Sequence, residues 1–415
     1  MGVLERYQPR CRIFLLDGKR FRTNLLTLFF HLPLKRETAT KTALLAELLK
    51  RGCEAYPTPQ ALAKRAEEMY GALWDISVVK KGDRQLLLFS LETLKAVEME
   101  EAVAFLRMLA LRPLVVDDAF PEEQVERQKK ILKRKLDALR DDKKGYARQR
   151  ALEETAEGTA WAVSADGYEE DLAEINGKNL YAYYRHILEQ AEVFVFFCGE
   201  KTERAKVLSL RKEFPGRVAA REWEPHVCDR HRPPHFTLER IEAEQTRLVL
   251  GFAPDTDSGG KQAVLLLLNQ LLGGDPDSLL FQRVREEKGL CYDIKSYTYP
   301  LSSYLFVQAG IREEDAKETG KLVLKCMEEW KQRPVPEEKL RQAKESIRRE
   351  FAGLADAPWA MVDFFADRAL QGKGLTVEAF LRRIERVDAE EIARCAAHLR
   401  LKAVYMLSGR EESHA

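Results

Sequence analysis

The chain is predicted to be an α+β protein of two duplicated domains, each a mostly antiparallel sheet with helices packed on one face. Three observations predict it. Four pairs of segments repeat in the same order at offsets near half of the 415-residue length. Strand-like runs alternate with long amphipathic helices inside each copy. A stretch without periodicity, rich in Pro, Arg and His, lies between the copies.

The elements follow in order. LTLFFHLP (26–33) and RLVLGFAP (247–254) are strand-like runs that end in proline. RAEEMYGALWDI (65–76) matches VREEKGLCYDI (284–294) with one residue of slack. The segments 85–92 and 303–311 alternate or run apolar as sheet strands do. FPEEQVERQKKILKRKLDAL (120–139) lies on VPEEKLRQAKESIRREFAGL (335–354) without a gap. Both open on Pro-Glu-Glu, which suits a first helical turn sterically and electrostatically. Val125, Leu132, Leu136 and Leu139 then match Leu340, Ile347, Phe351 and Leu354, one apolar stripe in each copy. The last strands are VFVFFCG (193–199) and VYMLSG (404–409). Domains are therefore expected over 1–214 and 236–415, joined by a linker over 215–235.

Composition narrows the function classes. The 68 basic and 67 acidic side chains nearly cancel, so neither a nucleic-acid nor a membrane footprint is expected. The seven cysteines are scattered and never spaced CxxC, which points to reduced thiols in a cytoplasmic protein. The opening MGVLERYQPR has no apolar core of a secretory signal, and no run is long enough to span a bilayer.

One stretch carries more specific information. In LLGGDPDSLLFQRVREEKGLCYDI (271–294), Gly273 and Gly274 close the apolar helix of 261–272, as a left-handed cap would. Ser278 stands as the N-cap of the next helix, Arg285 near its end, and Tyr292 at the start of a strand. Read alone, Arg285 is a solvated surface charge and Tyr292 a half-buried strand aromatic. The order Leu-Gly-Gly, Ser-x-Leu-Phe, Arg-Glu-x-x-Gly-Leu-x-Tyr resembles the second-half signature of the insulinase (pitrilysin) metallopeptidases. The duplicated plan resembles that family's α/β roll over almost the whole chain. In such enzymes an Arg and a Tyr at this spacing face the catalytic cleft and bind the substrate backbone and the developing oxyanion. The resemblance gives Arg285 and Tyr292 that substrate-binding role, a cation and a phenol preorganised at a tetrahedral intermediate.

The same resemblance exposes a loss. Family enzymes carry HxxEH on an early helix, two histidines on one face for zinc and a glutamate as general base. The corresponding helix here is TKTALLAELLKRGCEA (40–55). Counting back from Gly52 puts Ala43 and Glu47 at the histidine positions and Ala46 at the base; Lys135 best matches the third ligand, a glutamate on a later helix. Its duplicate, Glu350, has no histidine pair. Two alanines ligate nothing and a lysine repels a dication, so no zinc is expected in this chain. A rival cluster, His226, Cys228, His231 and His235, has ligand chemistry but no recognised spacing, and reads as plain linker or, alternatively, as a metal site. Glu122-Glu123 and Glu286-Glu287 read as solvated helix faces.

Family members are clamshells of four such domains in one chain or two, the metal coming from the first domain and the Arg-Tyr pair from the last. The resemblance therefore implies a non-catalytic subunit that completes the chamber of a zinc-bearing paralogue of similar length, which acts on peptides. Two alternatives stay open. One is a scaffold with no part in proteolysis; a metal-free pair of relatives in Gram-positive bacteria is linked by name to modification of elongation factor P. The other is a self-sufficient enzyme using the linker cluster.

Overall fold

The computed structural model describes residues 7–219, 232–242, 244–255, 262–299, 301–332, 335–354, 356–372 and 376–409. In chain order the strands of the first half are β1 (Tyr7–Pro9), β2 (Cys11–Asp17), β3 (Thr23–Pro33), β4 (Leu73–Lys81), β5 (Arg84–Leu94), β6 (Glu192–Gly199) and β7 (Arg217–Ala219). Those of the second are β8 (His235–Ile241), β9 (Thr246–Pro254), β10 (Cys291–Thr298), β11 (Leu305–Ile311) and β12 (Leu399–Gly409).

Two five-stranded sheets result, in the orders β2-β6-β3-β5-β4 and β8-β12-β9-β11-β10, and β1 and β7 form a small ribbon. The two orders are one topology written twice. In each sheet, its first and last strands in chain order pair in parallel, β2 with β6 and β8 with β12, and the remaining pairs are antiparallel. The repeated segments occupy equivalent strands: 26–33 lies in β3 and 247–254 in β9, 193–199 in β6 and 404–409 in β12. The gapless pair forms the helices Glu122–Leu139 and Glu337–Leu354, of equal length. The apolar stripe buries its leading residues, Val125 and Leu132 in one and Leu340 and Ile347 in the other, and loosens at the far end, where Leu139 is exposed.

The chain divides into two compact units that do not follow a single cut: one is 1–137, 163–224 and 354–364; the other 138–162, 225–353 and 365–415. The first unit's core gathers Leu26, Leu28 and Phe30 of β3 with Leu44, Leu45 and Leu48 of the helix Arg36–Leu49. Each such side chain contributes about 1.5–3 kcal/mol when fully buried. In the second unit, the helix Lys143–Thr155 belongs with the later sheet because Ala147, Ala151 and Leu152 pack with Val249, Ala253, Phe306 and Tyr405. Gly251 permits that approach: a Cβ there would lie 1.8 Å from Thr155 Oγ1.

Local differences from expectation have physical causes. The early helix runs Arg36–Leu49, starting ahead of 40, because Lys35 is already extended and Ala39 and Thr40 are buried as part of the helix. Gly52 (φ +156°) turns the chain at its end, where a Cβ would lie 2.7 Å from Pro57 backbone. Gly273 is no left-handed cap: its φ is −160°, inside a wide helical turn Gln270–Gly274. It is small because β10 passes close, a Cβ there lying 2.6 Å from Ser296 N. Ser278 takes the first helical bond with its backbone carbonyl, from Gln282 N (3.1 Å), rather than capping with its hydroxyl. No helix among the described residues is long and apolar enough to cross a membrane.

Candidate functional site

Arg285 sits in the short helix Phe281–Glu287, which is anchored on its inner side by buried Val284 and by Arg283, whose guanidinium makes two bonds to Glu329. The helix ends in an αL cap, Gly289 N donating to Arg285 O, with Leu290 N donating to Val284 O, both 3.0 Å. Gly289 takes φ +63°, which a side chain would strain. The left-handed glycine expected at Gly273 for the preceding helix is not formed there; Gly289 is the one that caps this helix. The Arg285 side chain is 42% exposed, with Nε 3.8 Å from Glu286 and the guanidinium 4.6 Å above the Phe281 ring.

Tyr292 follows on the edge strand β10. The ladder with β11 pairs Cys291 with Ile311 and Asp293 with Gly310, so Tyr292 is the extra residue of a β-bulge. Its side chain is 64% exposed, more than a half-buried strand aromatic would be. The bulge is pinned on its far side by Asp293, whose carboxylate accepts from Arg247 Nη1 (2.6 Å) and Lys144 Nζ (3.0 Å). Burial would raise the Asp293 carboxyl, but these two donors hold it below the usual range. Arg285 is close enough to Cys291 to oppose the rise, to about 11, that burial imposes on that thiol. A cation and a phenol are thus carried on backbone held from behind, both facing solvent.

The positions aligned with the metal site lie in the first unit. Ala43 and Ala46 are buried on the helix Arg36–Leu49. Glu47 meets Lys135 of the helix Glu122–Leu139, Nζ to Oε1 2.6 Å, with Lys50 3.9 Å from the same carboxylate. Counting from Gly52 and the later-helix match therefore identified two residues that are neighbours in space. Their chemistry does not fit zinc: two methyl groups offer no lone pair, and the lysine satisfies the single carboxylate. Among the described residues no group of three or more His, Cys, Asp or Glu is placed to hold a metal ion. Of the linker cluster, His226, Cys228 and His231 lie outside the described residues; His235 opens β8, with Nε2 3.2 Å from Glu154 and Nδ1 2.9 Å from Arg232.

Sequence reasoning missed the bulge, for which a single chain carries no signal. It also missed the Glu47–Lys135 pair, although opposite charges at two ligand positions could have suggested it.

Comparison with known proteins agrees with this layout. The family model for the Peptidase M16 inactive domain matches residues 174–347. Over 402 residues the chain is 25% identical to the probable inactive metalloprotease YmfF of Bacillus subtilis (strain 168), spanning 95% of this chain and 94% of that protein. A crystal structure of a conserved protein from Enterococcus faecalis V583 superposes with a TM-score of 0.87 at 24% identity, over 98% of this chain and 100% of that one. The peptidase M16 inactive domain from Pseudomonas fluorescens gives 0.74 at 20%, over 96% and 95% of the two chains. At those identities the structures establish the fold. Partial family match, distant full-length relative and shared fold agree: the chain is similar to insulinase-type (M16) peptidases and has their two-domain fold.

Proposed function

We propose that the chain is a non-catalytic subunit of a two-chain insulinase-type peptidase, binding peptide beside a zinc-bearing paralogue of similar length. The observation that carries the reading is the presentation of Arg285 and Tyr292. A helix cap and a bulge hold the two residues, and Arg285 stands a long 3.8 Å from Glu286. A side chain held from behind and open in front suits a substrate carbonyl whose charge grows during attack. The closed Glu47–Lys135 pair and the methyl groups of Ala43 and Ala46 support assigning zinc and hydrolysis to the partner. The probable inactive status in the name of the Bacillus relative points the same way. We place the complex in the reducing cytoplasm, where the buried free thiols of Cys11, Cys53, Cys198 and Cys326 would persist.

The test is co-expression with the zinc-bearing paralogue and a peptide-cleavage assay of Arg285→Ala and Tyr292→Phe. Each is expected to lower kcat on the order of 10²–10³-fold, as losing one oxyanion donor does. Cleavage unchanged by both variants rejects the substrate-binding role. A paralogue that cleaves as fast alone as in the pair leaves the chain a scaffold.

A further inference from the structure

A second constellation lies in the later unit, on the helix Ala389–His398. Asp388 caps its start, accepting from Glu391 N at 2.7 Å, and Ile392 and Ala396 bury one face. Cys395 and His398 stand three apart, which brings their Cβ atoms to about 5–6 Å on a helix surface. Both line one small crevice with Leu265, Leu399, Ser302 and Ser303. Asp255, the residue after β9, grips His398 twice: its N donates to the His398 carbonyl and its Oδ1 meets Nδ1, each at 2.9 Å. A carboxylate only accepts, so Nδ1 carries the hydrogen and Nε2 is the basic nitrogen of the ring. Arg400 holds the other Asp255 oxygen at 2.9 Å. The charged groups around the imidazole are therefore Asp255 and Arg400, with Glu328 acting on Arg400 from the neighbouring helix.

We propose that Cys395 is a reactive thiol, served by His398 as base and Asp255 as orienter, that undergoes exchange with small disulfides. Nε2 of His398 takes the Sγ proton, and the thiolate attacks one sulfur of the disulfide. The S–S bond breaks as the new Sγ–S bond forms, and the departing thiolate takes the proton back from the imidazolium. Cys395 is thereby oxidised to a mixed disulfide while half of the incoming molecule is reduced to a thiol. Burial pushes the thiols of Cys11, Cys198, Cys291 and Cys326 up to about 11, and partly exposed Cys291 serves as the reference thiol.

The experiment uses the full chain and glutathione disulfide, with the modified cysteine mapped by peptide mass spectrometry after short exposures across pH. Near pH 7, Cys395 should react at least about tenfold faster than Cys291, with a rate shoulder below the ordinary thiol range near 8.5. His398→Gln should slow Cys395 about tenfold near pH 7 and less than about twofold near pH 10, where a thiol ionises unaided. Cys395 following an ordinary thiol profile in the unmodified protein overturns the proposal, as does an unchanged rate in a folded His398→Gln protein. The unmodified protein's own profile decides the matter if that variant does not fold.

Discussion

The matched segments of the two halves treat an arginine and an aromatic in opposite ways. In the first copy the segment 65–76 keeps its arginine and aromatic for its own fold. Arg65 bonds Glu68 (3.3 Å) and Glu101 (3.2 Å), and Trp74 packs edge-on to Phe105 in a ladder with β5 that runs without a break. In the second copy, 284–294, Arg285 lies 3.8 Å from its nearest carboxylate and a bulge lifts Tyr292 off the ladder. Both helices end in a positive-φ glycine, Gly71 and Gly289, so the turn chemistry is common. What differs is whether neighbouring side chains satisfy the arginine and aromatic. The first copy's closure extends to Glu47 and Lys135, which neutralise each other. A duplicated domain can thus keep one backbone plan while one copy is sealed and the other left available to a ligand.

That contrast can be broken at three points. The largest effect is expected at Ala46, buried to 2% exposure on the sealed helix. Ala46→Glu adds volume and an unpaired charge to a packed core and should cost at least about 3 kcal/mol in urea unfolding. A near-neutral result would show that the helix face is open after all. Next, Arg65→Ala should cost roughly 1 kcal/mol by loss of two partly exposed ion pairs, while Arg285→Ala should change stability by less than about 0.5 kcal/mol. Equal costs would remove the distinction between the copies. The smallest effect concerns His31, which stands where the second copy has Phe252. Burial lowers the His31 pKa, with the bond to Glu192 pulling against it. A folded-state base with a depressed pKa resists the proton that the unfolded chain accepts. Stability should therefore fall as pH drops below about 6.5, by at most about 1.4 kcal/mol at pH 5.5. His31→Phe should flatten that slope in denaturation midpoints compared at pH 7.5 and 5.5; an unaltered slope assigns it to other groups.

Much of the architecture was legible before any coordinates. Segments matched by residue type fell on topologically equivalent strands and helices, because burial patterns repeat wherever one sheet geometry repeats. The resemblance put positions 47 and 135 at one site, although the ion pair they form was not read from it. Other features were not legible. Nothing in the amphipathicity of 143–155 states which sheet its alanines meet, and Gly251 explains the choice only once Thr155 is beside it. The bulge at Tyr292 arises from two ladders of different count, which neither strand reveals alone. Asp255 and His398 lie 143 positions apart and meet only because Pro254 pairs with Leu399.

The residue order alone determined the duplication and the alternation of strand and helix. These are properties of local period and side-chain chemistry, carried by each segment wherever it lies. Tertiary structure decided which charges are satisfied, which aromatic reaches solvent, and which unit each helix joins. Those outcomes depend on contacts between residues far apart in the chain, and distance in space is what a linear pattern does not encode.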